Sequence, residues 1–541
     1  MRFKRWLLIC AICLLGAGAM AGCDSSPPQP AVIIDPTVTP APQMEALTDT
    51  PEPTAPPPEP TETPETGPWF QSNLSEEGPW LVYAAEDGVY ALNLDGSGLT
   101  RLYANSPSST DVESIKIVAA PQGGRIAVLQ VDTQDRLELG MPRLKTFWMP
   151  DAYLVLDTWL IPYEWEAETY VGKWEEMSDQ EKYDYTHEMP LEQMFAAIGE
   201  WNEITWSSDG TLLAFNAVFD GTSADLYLYN DNDLSITRLT DGPGHSVDPV
   251  FTPDNTTILH GAVESLNYGM TDLGFDYLNA WVANIDGSGA KKVFDHQFYG
   301  WEEVVAWLDD TTYVAVAATW ADLPYYFDLR IVDIFDGQQK VLVWGSHSAV
   351  DVAPEEGKVL FSVLAYGAGG EHQPDFDPGV YLMDLNSNAV TLVPGIDTEE
   401  VIHIQYNPVS NVFYISDRTG KFYLVQMDGS VQSFQALEDY YVAYLSPDGT
   451  RWVLWKTFYT ANIAAGDLEG LFDEISPGKR GYPVWMPDSS GVLFLMTTED
   501  GNTALARLSF PENGGETTLE LLVDDLPAPF NFYPPLVLVE P

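Results

Sequence analysis

From about residue 80 to residue 525 the chain alternates short apolar runs with clusters of Asp, Asn, Gly, Ser and Pro. The clearest stretch is 203–239. There Ile204-Thr205-Trp206 predicts a short strand, Ser207 to Gly210 a turn, and Leu212-Leu213-Ala214-Phe215-Asn216 a second strand. Asp225-Leu226-Tyr227-Leu228-Tyr229 predicts a third strand, Asn230 to Asp233 a turn, and Ile236-Thr237-Arg238-Leu239 a fourth. Asp, Asn and Gly accept local hydrogen bonds or positive φ, and the runs between them are rich in β-formers. Ser446-Pro447-Asp448-Gly449, Thr252-Pro253-Asp254-Asn255 and Pro487-Asp488-Ser489-Ser490 repeat the first turn. Weaker copies sit at Gln122-Gly123-Gly124, Asp309-Asp310, Pro354-Glu355-Glu356 and Pro408-Val409-Ser410. A unit of this size cannot bury its apolar face alone, so the copies must stack on one another.

The same order returns at 247–295, 303–343, 349–393, 401–435, 441–475 and 483–523, with a distorted copy at 115–162. Residues 80–103 supply only the last three strands of a unit. A strand near Phe530 to Val539 is expected to complete it and close the ring, leaving no exposed edge. The predicted fold is all-β: a single propeller of four-stranded antiparallel blades, eight preferred and seven to nine compatible with the pattern. The alternation of the Ser-Pro-Asp-Gly turn with an Asp-Gly-Ser-Gly turn, at Asp95 to Gly98 and again at Asp286 to Gly289, resembles the WD40-like repeats of TolB-type β-propellers. That resemblance covers most of residues 80–523. It implies the fold and leaves function open, because this fold hosts many unrelated activities.

The N-terminus follows different rules. Arg2, Lys4 and Arg5 precede an apolar run of 16 residues, Trp6 to Ala21, too short for a spanning helix and ending in small residues. Residues 1–22 therefore read as an export signal. Met20-Ala21-Gly22-Cys23 resembles the lipobox of bacterial lipoproteins, which implies lipid on Cys23. An ordinary signal peptide or an uncleaved anchor is the plainer alternative. Cys10 and Cys13 would leave with the signal, so the mature chain would keep one cysteine, with no internal disulfide and no cysteine metal site. Asp24 follows; such an aspartate resembles an inner-membrane retention signal. In an envelope with one membrane, the same anchor puts the protein on its outer side. Residues 23–68 form a tether with 14 of the chain's 40 prolines and no Lys or Arg. Proline favours polyproline II, so the tether is stiff and coreless, reaching at most ~140 Å.

The formal charge of −57 repels phosphate backbones and anionic lipid surfaces, so nucleic acid is a poor partner. Cations, basic protein patches and neutral sugars stay open, and solubility alone would also account for the charge.

Residues 69–541 form the predicted head. In a propeller the loops joining second to third strands share a face with the connections between blades, and both tight-turn families lie opposite. Here the first class is expanded, at Thr133 to Pro150, Glu264 to Leu278, Trp320 to Tyr326 and Tyr366 to Pro378. Residues 163–202 add an insertion that reads as helical, with a capping-box pattern at Ser178-Asp179-Gln180-Glu181 and Pro190 at a first helical position. The candidate binding face is thus aromatic: Trp148, Trp165, Tyr170, Trp174, Tyr183, Tyr185, Tyr268, Tyr277, Trp320, Tyr325, Tyr326 and Tyr366. Aromatics among carboxylates suit sugars, cations or a basic protein surface, although any one of them could simply pack an insertion onto the rim.

Catalytic signatures are missing. There is no Gly-x-Ser-x-Gly elbow, and fewer than 20 residues follow the last unit, so a propeller-plus-hydrolase arrangement is not expected. His245-Ser246 and His347-Ser348 are sequence neighbours, which rarely form a triad. The seven histidines show no metal-ligand spacing. Asn230-Asp231-Asn232-Asp233 and Asp375-Phe376-Asp377 lack the Gly and distal Glu of a calcium loop, and a turn suffices for them. The sequence therefore predicts a lipid-anchored, extracytoplasmic, non-catalytic module without cofactor or metal, binding a protein or an envelope polysaccharide. The alternative is a carbohydrate-active enzyme using carboxylates at the channel mouth.

Overall fold

The computed structural model describes residues 72–541 except 106–110, 134–139, 162–202, 220–222, 242–244, 264–265, 269–272, 276–278, 295–299, 320–325, 346–348, 364–374, 398–400, 418, 420, 436–441, 456–462, 468–471, 476–482, 499, 511–517 and 531–535. The signal, the tether and the expected helical insertion at 163–202 lie outside the described residues, among which no helix occurs.

The described residues form nine four-stranded antiparallel sheets and one two-stranded hairpin. Each four-stranded sheet is a blade, and the first strands approach one another from blade 1 to 2, 2 to 3, 3 to 4, 5 to 6 and 6 to 7. Blade 1 is built from both ends of the head. Val537–Val539 pairs antiparallel with Trp80–Ala85, followed by Gly88–Asn93 and Thr100–Ala104. The expected closing strand is therefore present. Blade 2 spans 111–159, blade 3 205–238, blade 4 245–294, blade 5 300–345, blade 6 350–393, blade 7 401–435, blade 8 442–475 and blade 9 484–526. The count falls at the top of the seven-to-nine range and above the preferred eight. The reason is blade 2: the stretch that looks distorted in sequence folds as a complete sheet with three long strands of nine residues.

Alternation decides which side chains meet across each seam, because successive strand residues point to opposite faces. Val82, Ala84, Val89 and Ala91 of blade 1 pack on Ile117, Ile126, Val128 and Phe147 of blade 2. The other face of blade 1, Leu81, Tyr83 and Leu92, packs on Leu493, Leu495 and Leu505 of blade 9, which completes the circle. Similar apolar seams join blades 2 to 3, 3 to 4, 4 to 5, 5 to 6, 6 to 7 and 8 to 9. Phe147, Phe215, Phe361, Phe413 and Phe494 are fully buried, each worth roughly 1.5–3 kcal/mol of transfer free energy. Both faces of a blade are covered by its neighbours, so the middle strands read as continuous apolar runs.

Candidate functional site

The two rims of the disc differ in how their polar groups are used. On one rim lie the turns joining first to second and third to fourth strands. Ser207 Oγ donates to Asp209 Oδ1 (2.6 Å), Asp209 accepts from the Thr211 amide (3.0 Å), and the Leu212 amide donates to Ser207 Oγ (2.9 Å). Ser446, Asp448, Thr450 and Arg451 repeat this pattern atom for atom. Thr252, Asp254, Thr256 and Thr257 do so with Asn255 at φ 58° in place of glycine. In the second family, Asp95 and Asp286 each accept from the amide and hydroxyl of the serine two residues on. These serine donors hold the carboxyls of Asp95, Asp209 and Asp286 below the usual carboxylate range.

Neighbouring turns are also tied to one another. Asn255 bonds Ser208 through both its amide oxygen and nitrogen, Ser489 Oγ accepts from the Asp448 amide, and Tyr414 Oη donates to Gly449 O. Gly210 sits at φ 71°, and a Cβ there would stand 2.4 Å from Gln122 O in blade 2. Its lack of a side chain is thus what lets blades 2 and 3 meet at this rim.

The opposite rim carries the blade-to-blade connections and the expanded loops, and most of those segments lie outside the described residues. Its best-defined polar group joins blades 3 and 4. Asp225, 1% exposed, accepts from Arg238 Nη2 (2.6 Å), Thr240 Oγ1 (3.1 Å) and Ser223 Oγ (3.1 Å). Arg238 also donates to Thr240 O and to the exposed Asp241. His245 is buried against this group, and burial lowers its pKa to about 4. Its Nδ1 accepts from the Ala224 amide (3.0 Å), which leaves the proton on Nε2. Ser246 Oγ is within 3.1 Å of Thr240 Oγ1. The hydroxyl faces a threonine and the imidazole nitrogen faces an amide, so this is a brace and lacks the geometry of a nucleophile with its base.

Two further histidines are neutral for the same reason. Burial lowers His260 and His403 to about 4. A cleft of about 270 Å³, counting its open mouth, runs between blades 7 and 8 beside His403, Gln405, Ser416 and Leu445. Ser416 Oγ is buried there without a hydrogen-bond partner. Among the described residues no cluster of His, Cys, Asp and Glu could hold a metal ion. Strands nearest the axis carry bulges in blades 2, 4, 5 and 7, and Asp248 in blade 4 takes φ 51° at one of them. Bulges of this kind re-aim side chains beside channels and sites.

Of the aromatic residues assigned to the binding face, Tyr268 lies in the hairpin Leu266–Tyr268 with Leu273–Phe275, which extends blade 4 on the loop-rich rim. Tyr326 opens the third strand of blade 5 at that rim, paired with Thr319. Trp148 is a correction. It ends the third strand of blade 2 and pairs with Arg125 at the start of the second, which puts it on the tight-turn rim. The sequence placed it in a second-to-third loop because strand Gly140–Trp148 continues further than its mixed polar and apolar residues suggest. Cys23, Trp165, Tyr170, Trp174, Tyr183, Tyr185, Tyr277, Trp320, Tyr325 and Tyr366 lie outside the described residues.

Asp231 is a hub that sequence reasoning missed. It is 3% exposed, and it accepts from Trp148 Nε1 (2.8 Å), Tyr229 Oη (3.0 Å) and Arg125 Nε. Its place inside the Asn230-Asp231-Asn232-Asp233 turn masked this role. Asn230 and Asp233 do cap that turn, accepting from the Asn232 and Ser235 amides. Asp375 likewise accepts from the Trp344 amide.

No protein-family model matches the chain, and no curated protein matches it significantly. Many solved structures do. A eukaryotic initiation factor is 10% identical over 86% of this chain and 100% of its own length, with a TM-score of 0.49. Oligogalacturonate lyase from Vibrio parahaemolyticus is 16% identical over 57% of this chain and 89% of its own, with a TM-score of 0.36. TolB from Acinetobacter baumannii is 16% identical over 62% and 81%, with a TM-score of 0.27. The class rests on the chain's own topology: a closed β-propeller, a scaffold used by binding proteins and enzymes alike.

Proposed function

We propose that this chain is a lipid-anchored, extracytoplasmic propeller that captures a protein or an envelope polymer on its loop-rich face, with no chemistry of its own. The asymmetry of the two rims supports this reading. Turn after turn on one rim spends its polar side chains on its own turn or the adjacent blade. Most of the long excursions belong to the other rim, residues 510–517 of blade 9 being the exception, and long loops on a rigid scaffold are where binding concentrates. The charge of −57 favours a basic protein surface or a neutral glycan over nucleic acid. Lipid on Cys23 and the proline-rich tether would hold the disc near the outer face of a membrane.

Deleting residues 163–202 tests this face directly. Capture of envelope components by the immobilised chain should be lost while the melting transition survives; undiminished capture would sink the assignment. A glycan panel run on the same protein separates binding from catalysis. Turnover abolished by removing a single Asp or Glu would replace the proposal with a carbohydrate-active enzyme.

A further inference from the structure

The first described residues run across the tight-turn rim, pinned at four points. Ser72 Oγ donates to Pro150 O (2.5 Å), the Asn73 amide to Thr100 Oγ1 (3.1 Å), and the Ser75 amide to Asn93 Oδ1 (2.8 Å). Trp80 Nε1 then donates back to Ser75 O (2.9 Å). The first three contacts fall on the third-to-fourth-strand turns of blades 1 and 2, and the fourth comes from the start of blade 1's second strand. The chain thus arrives at the disc beside Pro150.

Flanking Pro150 are two of the molecule's exposed large aromatics. Trp148 is 37% exposed and Tyr153 47%, with ring centroids 6.0 Å apart and planes tilted by 36°. The indole cannot swing freely, because its Nε1 is held by the buried Asp231 carboxylate. A rigid aromatic pair left open on the surface offers apolar area at little entropic cost.

The residues immediately before Ser72 are Pro64-Glu65-Thr66-Gly67-Pro68-Trp69-Phe70-Gln71. At ~3.3 Å per residue, Phe70 and Pro68 are within roughly 7–14 Å of Ser72 and can reach both rings. Proline-containing segments dock on aromatic surfaces because their extended form loses little entropy on binding. We propose that residues 64–70 pack Pro68, Trp69 and Phe70 onto the Trp148–Tyr153 pair, clamping the base of the tether to the tight-turn rim. The occupant is this segment, rather than a sugar or a second copy, because the described chain ends within hydrogen-bond distance of the turn that carries both rings. Such a clamp gives the disc a fixed exit point, and the loop-rich face is the one turned away from it. It stands whether or not Cys23 carries lipid.

Spin labelling tests the clamp in the full chain with Cys10, Cys13 and Cys23 replaced by serine. A label on Thr66→Cys should be immobilised, while one on Thr39→Cys in the tether should be mobile. Tyr153→Ser should sharpen the Thr66 spectrum to match that at Thr39, with the melting temperature unchanged. Trp69→Ala should free the same label from the other side of the contact, which covers the case of a Tyr153 variant that misfolds. A Thr66 label as mobile as Thr39 in the parent overturns the clamp, as does a spectrum unmoved by both substitutions. Immobilisation that vanishes on dilution assigns the pair to a second copy, and displacement by added oligosaccharide assigns it to a sugar; either result overturns the intramolecular clamp.

Discussion

The two rims of this disc are made by one repeat, yet they obey opposite rules. On the tight-turn rim a four-residue turn recurs with the same Ser/Thr-to-Asp geometry at Ser207, Thr252 and Ser446, and each copy leans on an adjacent blade. Where two blades meet closely a turn of this kind has no room to grow, as the 2.4 Å approach at Gly210 shows. Among the described residues the loop-rich rim shows no such repeat: its best-defined polar group, Asp225 with Arg238 and Thr240, is particular to the connection between blades 3 and 4. Repetition builds the scaffold on one side and frees the other side to vary.

The largest effect should come from opening the ring. Val539 is fully buried in the strand that completes blade 1. Val539→Asp places an unpaired carboxylate in that seam and should cost more than about 4 kcal/mol, enough to abolish a cooperative melt. A variant that still melts cooperatively near the parent temperature would mean the closing strand is dispensable and the blades hold as an open stack.

Histidine burial comes next, and it separates seams from rims. His245 and His260 have pKa values near 4 in the folded chain against about 6.5 unfolded. Between those values the unfolded state binds protons that the folded state refuses, so stability falls as pH drops from 6.5 to 4. The linkage amounts to at most about 3 kcal/mol for each residue. Below that window the depressed carboxyls of Asp95 and Asp209 continue the loss, since they must be protonated in the unfolded chain first. Urea midpoints measured across pH 3–8 should fall in two stages, and His260→Gln should shrink the upper one while leaving the shares of His245 and His403. A midpoint independent of pH between 6.5 and 4 would contradict buried neutral imidazoles.

Glycines sharpen the contrast between packed and open turns on the same rim. Gly210 and Gly429 both take positive φ, but a Cβ at Gly429 meets nothing within 4 Å. Gly429→Ala should cost only the backbone strain, about 1 kcal/mol, whereas Gly210→Ala adds a clash with Gln122 O and should cost about 2–4 kcal/mol. Equal losses in denaturant melts would show that blades 2 and 3 can part at this rim without penalty.

Much of the scaffold was legible because turn chemistry is local. Ser207-Ser208-Asp209-Gly210 dictates its own hydrogen bonds, and apolar runs such as Leu212–Ala217 have one way to bury both faces. The closing strand was legible for a negative reason, since a three-stranded first unit leaves an edge that only Val537–Val539 could fill. Blade 2 was harder. Arg143, Lys145 and Thr146 interrupt its third strand, and Asp157 on the next strand neutralises the two cations. Cross-strand pairing of that sort has no signature at short range. The same gap misplaced Trp148 and hid Asp231, whose partners Arg125 and Trp148 stand 106 and 83 residues away. The chemistry of the proposed binding face had no local signature either, because loops are positioned by the scaffold and carry no repeat of their own.

The smallest expected effect isolates what the repeated carboxylate does. Asp209 Oδ1 accepts from Ser207 Oγ, the Thr211 amide and Thr211 Oγ1, while its charge meets no cation among the described residues. If geometry is what the turn needs, Asp209→Asn keeps an acceptor in place and should lose less than about 0.5 kcal/mol, whereas Asp209→Ala leaves three donors without a partner and should lose about 1 kcal/mol. If the negative charge were the point, both variants would lose alike, and the asparagine that already replaces glycine at position 255 would be no guide to what these turns tolerate. Chemical denaturation of the two variants resolves the difference. The ordering Asn above Ala would also show that this turn keeps its hydrogen bonds without needing a salt bridge.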